Sequence, residues 1–198
     1  MEVLNLSLPL LVFVFAGLFS PGPNVVMLTA SGARFGFRAT LPHLLGVPVG
    51  TGILAAASGL GVGAALMALP ALKLAFQIVA ACWILWLAWR TAQAGRAGRG
   101  ADRGRPFTFT QAVLFQAVNP KVWAITIAAA AGFSIGLPPL GEAARLFLVF
   151  AGINLLVCLF WTTAGQLLSG LLRSDTVWRS FMLGMALLMA STILLIFR

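Results

Sequence analysis

Acidic side chains are scarce in this chain. Glu2, Asp102, Glu142 and Asp175 are the only four in 198 residues, and all fall in loops or at the ends of apolar runs. There is one histidine, His43, there are two cysteines, Cys82 and Cys158, and tyrosine is absent altogether. One histidine without a buried acid cannot assemble a nucleophilic triad, a carboxylate pair or a metal site, so the chain does not read as an enzyme, and neither a metal nor another cofactor is expected. A membrane protein relaying electrons through Cys82 and Cys158 is a rival reading. It lacks a C-x-x-C pair and a nearby activating base, and two small buried apolar residues account for these cysteines more simply.

What the chain has in abundance is apolar surface. Hydrophobic residues make up 61% and charged residues 9%, and the mean hydropathy is +1.02. A water-soluble fold would have nowhere to put such a surface. The apolar runs are too long and continuous for barrel strands, so the fold class is all-α, a polytopic membrane protein. At roughly 20 residues per crossing, the length accommodates about six spans. We place them at 4–31, 39–63, 70–91, 108–133, 143–170 and 177–197. Met1-Glu2-Val3 carries an acid before the first apolar run, with no small-residue cleavage pattern after it, so no removable signal peptide is expected.

The net charge of +9 matters less than its placement. Arg34 and Arg38 follow span one; Arg90, Arg96, Arg99, Arg103 and Arg105 follow span three; Arg173 and Arg179 follow span five. The opposite face has Lys73, Arg145 and Arg198. By the positive-inside rule the first face is cytoplasmic, which puts both termini outside. The connection 93–107 could be read as a nucleic-acid-binding arginine-glycine segment. It has no interleaved aromatic, and a basic cytoplasmic loop is what topology requires, so no nucleic-acid partner is expected. This loop divides a single membrane domain, 1–198, into three-span repeats at 1–92 and 108–198. With an odd number of spans in each, the second repeat is inverted relative to the first.

Both repeats break their first span at proline. Ser20-Pro21-Gly22-Pro23-Asn24 interrupts one and Asn119-Pro120-Lys121 the other. A shift of 97 residues (120 minus 23) superposes Pro23 on Pro120, Val25 on Val122 and Thr29 on Thr126. Each break reads as a helix restart, with Gly22 or Asn119 at the cap and proline at the first helical position. A restarted helix exposes amide donors and the positive end of its dipole, and two such ends brought together form an anion site. Asn24 and Lys121 are then first-turn side chains. Lys121 is the one charge deep inside a span, where it costs at least about 2.5 kcal/mol. It is held by backbone carbonyls freed at a break, it snorkels, or it meets a substrate carboxylate. With no buried acid to balance a cationic substrate, neutral zwitterions are favoured.

Three further polar positions lie within spans. His43 begins span two roughly 7 Å below the cytoplasmic interface. It is a proton-shuttle candidate, or a capping group. Asn154 in span five lies where span two carries Thr51, and each could equally hydrogen-bond a neighbouring helix. Thr162, Thr163 and Gln166 are candidate vestibule residues. Gly32 with Gly36 and Gly46 with Gly50 have helix-contact spacing. That allows a membrane assembly scaffold as another reading, although a scaffold does not explain a buried Lys121.

Pro21-Gly22-Pro23-Asn24, the run Gly32 to Arg38, Gly46 to Gly50 ahead of Thr51, and Asn119-Pro120-Lys121 together resemble the LysE/RhtB family of amino-acid exporters. Trp83 to Arg90 and Phe115 to Lys121 look most like its cysteine and O-acetylserine efflux subgroup. The resemblance implies export of amino acids or their derivatives across a bacterial inner membrane, driven by a proton gradient or the membrane potential. Taken with the helix-restart argument and the counted match of Thr51 with Asn154, the candidate substrate residues are Pro21, Gly22, Pro23, Asn24, Thr51, Asn119, Pro120, Lys121 and Asn154. The implied partners are an amino acid and the lipid bilayer, and a homodimer is compatible with the sequence. Members often carry an acid or amide where Thr51 stands.

Overall fold

The computed structural model describes residues 2–63, 68–93, 105–170 and 174–195. Arg96, Arg99, Asp102, Arg103, Arg173 and Arg198, and the side chains of Glu2 and Lys73, lie outside the described residues. The principal helices are α1 (Glu2–Phe19), α2 (Pro23–Phe35), α3 (Phe37–Gly59), α4 (Pro70–Ala92), α5 (Phe109–Ala117), α6 (Pro120–Gly132), α7 (Pro139–Ser169) and α8 (Asp175–Ser191), which runs into a short 3-10 turn at Thr192–Leu195. No strand occurs among the described residues. The protein is an all-α polytopic membrane fold.

Proline dictates the breaks. Pro21 and Pro23 remove two donors within three residues, so α1 stops at Phe19 and the chain restarts with Gly22 as extended cap and Pro23 in the first turn. Pro120 begins α6 behind Asn119 in the same way. The two halves of each broken span are bent by 58° and 64°. The α5 helix starts by a different device, a reciprocal box in which Gln111 N–H donates to Thr108 Oγ1 and Thr108 N–H donates to Gln111 Oε1. The spans expected at 4–31 and 108–133 are therefore α1 with α2 and α5 with α6.

Three stretches are long and apolar enough to cross a bilayer, Phe37–Gly59, Pro139–Ser169 and Asp175–Leu194, and the two bent pairs bring the number to five. The 23 residues of α4 stand where a sixth span was expected at 70–91, and a helix of that length extends about 35 Å. Leu140, Leu148, Leu156 and Leu167 of α7 and Trp86 and Trp89 of α4 are exposed. In a bilayer such a surface is covered by lipid rather than water.

Packing exchanges partners between the halves. The first broken span lies on α7, the second on α3; α3 crosses α7, and α4 pairs with α8. At the α3–α7 crossing, Asn154 Nδ2 donates to Thr51 Oγ1 at 2.9 Å, so the two positions matched by counting from each span's start meet directly.

Glycine makes the closest crossings possible. A Cβ at Gly32 would strike the Thr162 carbonyl, and one at Gly165 would strike the Thr29 carbonyl, so α2 and α7 touch backbone to backbone at reciprocal notches. Gly46 and Gly50 admit the Phe109 and Val113 carbonyls of α5 in the same manner. These glycines serve contacts within the chain, which removes the spacing as support for an assembly scaffold. Gly36, with φ of 81°, makes the elbow from α2 to α3. Gln166 Oε1, from the candidate vestibule residue of α7, accepts the Phe37 amide there.

One acid departs from expectation. Glu142 does stand at a span end, but it is buried, 7% exposed. Its Oε2 accepts from Arg145 Nε and Nη2 at 2.9 and 2.7 Å, while Oε1 accepts from Ser134 Oγ and the Ile135 amide at 3.0 and 2.7 Å. Arg145 Nη2 also donates to the Phe133 carbonyl at 2.6 Å. With the Leu137 amide donating to Oε1 at a longer 3.4 Å, six bonds commit the pair to holding the turn between α6 and α7.

Gly165→Leu or Gly32→Leu should destabilise the fold by about 1–3 kcal/mol or more through overpacking. Gly152, whose Cβ would meet nothing within 4 Å among the described residues, should accept alanine with a gain of about 0.5–1 kcal/mol in helix propensity. Thermal unfolding of the purified variants in detergent compares them. Equal transitions for Gly165→Leu and Gly152→Ala would contradict the backbone contact.

Candidate functional site

The two breaks meet. Lys121, in the first turn of α6, reaches across to the broken segment of the other half, where Nζ donates to the carbonyls of Ser20 and Pro21. Sequence left several readings of Lys121 open, and the structure shows it engaged with backbone carbonyls, those of the opposite break rather than its own. Such carbonyls carry the negative end of the α1 dipole, so the ammonium is well placed electrostatically. An ammonium has three donors, and the two recorded bonds leave one for a ligand. Gly22 makes this reach possible: a Cβ there would stand 2.8 Å from Lys121 Cδ and 3.0 Å from Nζ.

Around this contact is a small cavity lined by Leu18, Gly22, Pro23, Asn24, Val25, Leu28, Asn119, Lys121, Val122, Asn154, Val157, Cys158 and Trp161. It draws on α1, α2, α6, α7 and both breaks. Of the nine residues proposed from sequence, Gly22, Pro23, Asn24, Asn119, Lys121 and Asn154 line it; Pro21 touches it through its carbonyl to Lys121, Thr51 stands one hydrogen bond behind Asn154, and Pro120 is absent from the lining. Its volume is about 20 Å³, room for one or two waters. In this conformation the space is too small for an amino acid.

Asn24 and Asn119 line it, and Gln116 joins them from behind. Asn24 Nδ2 donates to Gln116 Oε1 at 2.9 Å and Gln116 Nε2 returns a bond to Asn24 Oδ1 at 3.2 Å. Gln116 Nε2 also donates to the Ala112 carbonyl at 2.9 Å, and Asn119 Nδ2 approaches Gln116 Oε1 at a long 3.5 Å. Every bonding position of Gln116 is thereby used, and the residue is fully buried. Asn119 occupies the cap position of α6 without making a side-chain cap bond. Its Oδ1 is buried with no partner among the described residues, and the same holds for Trp161 Nε1. The cavity thus holds a cation, an open acceptor and an open donor, and no acidic side chain lines it.

Gln116 and Trp161 were not singled out from sequence. A glutamine within an apolar segment three residues before Asn119 is a usable signal for the first; nothing in the sequence distinguishes Trp161 from the other tryptophans. Thr162 is buried and Thr163 is exposed, and neither lines the cavity.

His43 is not brought to this site. It lies 2% exposed in α3 with its ring 5.3 Å from that of Phe107, on a second cavity whose lining shares no residue with the first. The cysteines stand apart too. Cys158 is buried beside Asn154 Oδ1 at 3.5 Å, while Cys82 is exposed on α4, and both are free thiols. Among the described residues no group of three or more metal-ligating side chains occurs.

Comparison with curated proteins and with solved structures finds no match. The description of one family, LysE type translocator, matches residues 15–195. That range contains both breaks, the cavity and every helix except the beginning of α1. The chain belongs to the LysE type translocator family, whose members are membrane transporters rather than enzymes.

Proposed function

We propose that this protein exports neutral amino acids or close derivatives from the cytoplasm across the bacterial inner membrane, with the cavity at the two breaks as the substrate site. The observation that carries the reading is the pairing of Lys121 with the unpartnered Asn119 Oδ1 in one cavity. A zwitterion needs both signs of partner within a few ångströms. The carboxylate takes the remaining Lys121 donor, with the first-turn amides of α2 and α6 and Trp161 Nε1 beside it. The α-ammonium donates to Asn119 Oδ1. A buried polar atom without a partner costs about 1–3 kcal/mol, and a ligand that satisfies it recovers that amount. A cationic side chain would find no carboxylate to balance it.

A cavity this small requires a widening step before it can take an amino acid. The Lys121 bond to the Ser20 and Pro21 carbonyls is the contact that a carboxylate would compete with, so substrate entry and loosening of the two breaks are linked. Orientation follows from the basic residues: the end carrying Arg34, Arg90 and Arg105 is cytoplasmic. Transport is driven by the proton gradient or the membrane potential, with His43 as the proton-handling group, since neither ring nitrogen has a partner among the described residues.

Expression should raise cellular tolerance to one or a few neutral amino acids or analogues. Lys121→Ala should remove that tolerance while protein remains in the membrane, with a loss of transport efficiency of roughly 100-fold. Asn119→Ala, which removes a hydrogen bond to a charged group, should lower efficiency by about 10- to 100-fold. Asn24→Ala should cost activity comparably to Lys121→Ala because it also releases Gln116. Retained export by a folded Lys121→Ala protein would place the substrate elsewhere.

For coupling, His43→Ala should abolish uptake driven by a pH gradient in inverted vesicles and leave substrate counterflow intact. Unchanged gradient-driven uptake would move proton coupling to another group.

A further inference from the structure

The second cavity is larger, about 110 Å³, and is lined by residues of five separate segments. Arg34 comes from the last turn of α2 and Arg90 from the last turn of α4, while Arg105 comes from the extended residues before α5; His43 and Met182 complete the ring from α3 and α8. No acidic residue is among the described lining. We propose that this pocket is a binding site for a phosphate group, supplied either as a free anion or as the headgroup of an anionic phospholipid.

Topology alone accounts for arginines at this end of the helices, but it asks only that they lie in connections. It does not ask three of them, from three distant stretches, to turn toward one concavity. Two are oriented by aromatic faces: the Arg34 guanidinium lies 4.9 Å from the Phe35 ring centre and that of Arg90 lies 5.1 Å from Trp86. The guanidinium fork matches phosphate oxygens two at a time, a geometry an ammonium does not offer. A concavity lined by one sign of charge over apolar walls, here Met27, Leu87, Phe107 and Met182, focuses the field on whatever enters.

His43 supplies the independent observation. It lines the pocket, it is 2% exposed, and neither of its ring nitrogens has a hydrogen-bond partner among the described residues. A polar group sealed in that way is stabilised when a ligand oxygen reaches it. Guanidinium donors from separate segments, those of Arg90 and Arg105 above all, match the several oxygens of a phosphate better than the two of a carboxylate. The pocket's volume, several times that of a single water site, accommodates a phosphate group. Arg34 and Arg90 line it from the last turns of α2 and α4, the end of the helices that the positive-inside rule assigns to the cytoplasmic headgroups.

The test is thermal unfolding of the full-length protein in lipid-free detergent, with two probes. Inorganic phosphate is compared with chloride at matched ionic strength, and phosphatidylglycerol with phosphatidylcholine in mixed micelles. Wild type should gain several degrees with at least one probe. A gain with inorganic phosphate identifies a free anion, and a gain with phosphatidylglycerol alone identifies the lipid. Arg90→Gln with Arg105→Gln should abolish the gain, whereas Arg38→Gln with Arg179→Gln, two exposed arginines away from the pocket, should keep it. Should the first double variant fold poorly, Arg105→Gln alone in its extended segment should weaken the half-saturating concentration by about tenfold. No gain with either probe, or equal loss in both double variants, would overturn the site and leave diffuse surface charge.

Discussion

An ammonium in a low-dielectric interior must be surrounded by oxygen, and most of this fold can be read as the means of providing it. Lys121 is carried on the restarted helix of one half and satisfied by carbonyls that the restart of the other half leaves without helical partners. Neither break would be stable alone in a bilayer, because each exposes backbone groups that lipid cannot bond. Together they solve each other's problem. The same contact explains why position 22 has no side chain: the lysine stem runs where a Cβ would be.

The breaks were legible in the sequence because proline acts through covalent geometry, which no tertiary context can alter. Pro23 and Pro120 each fall at the first helical position, behind Gly22 and Asn119. Asn154 and Thr51 were paired by counting, and they meet. What the sequence does not show depends on helix rotation. Trp161 lines the cavity, and Gln116 bonds Asn24 behind it, because α7 and α5 are turned as they are. Their orientation is set by glycine notches at 46, 50 and 165 that act only once the partner helix is present. Glu142 was placed correctly at a span end, but its burial depends on Arg145 folding back over it.

Polar groups here fall into two kinds with different consequences. Gln116 and Glu142 have their bonding capacity filled by the protein. They fix geometry, and a ligand has nothing to offer them. Asn119 Oδ1, Trp161 Nε1 and the His43 ring are buried yet unfilled among the described residues. Unfilled groups are the costly ones, so they are the places where a binding partner changes the free energy most. They fall into separate cavities on either side of α2.

The crossing of α2 with α7 is held in register at one turn and packed along its length. Gly32 and Gly165 accept the Thr162 and Thr29 carbonyls within a single turn of each helix. Apolar clusters continue the interface on both sides of that turn, one holding Leu28 and Cys158 and the other Ala33 with Leu168. Each notch holds a carbonyl and so resists sliding, while the flanking clusters resist a change of angle. A displacement that carries α2 therefore carries α7 with it, and the wall that α7 gives the cavity, Asn154 to Trp161, moves with the segment that bears Asn24.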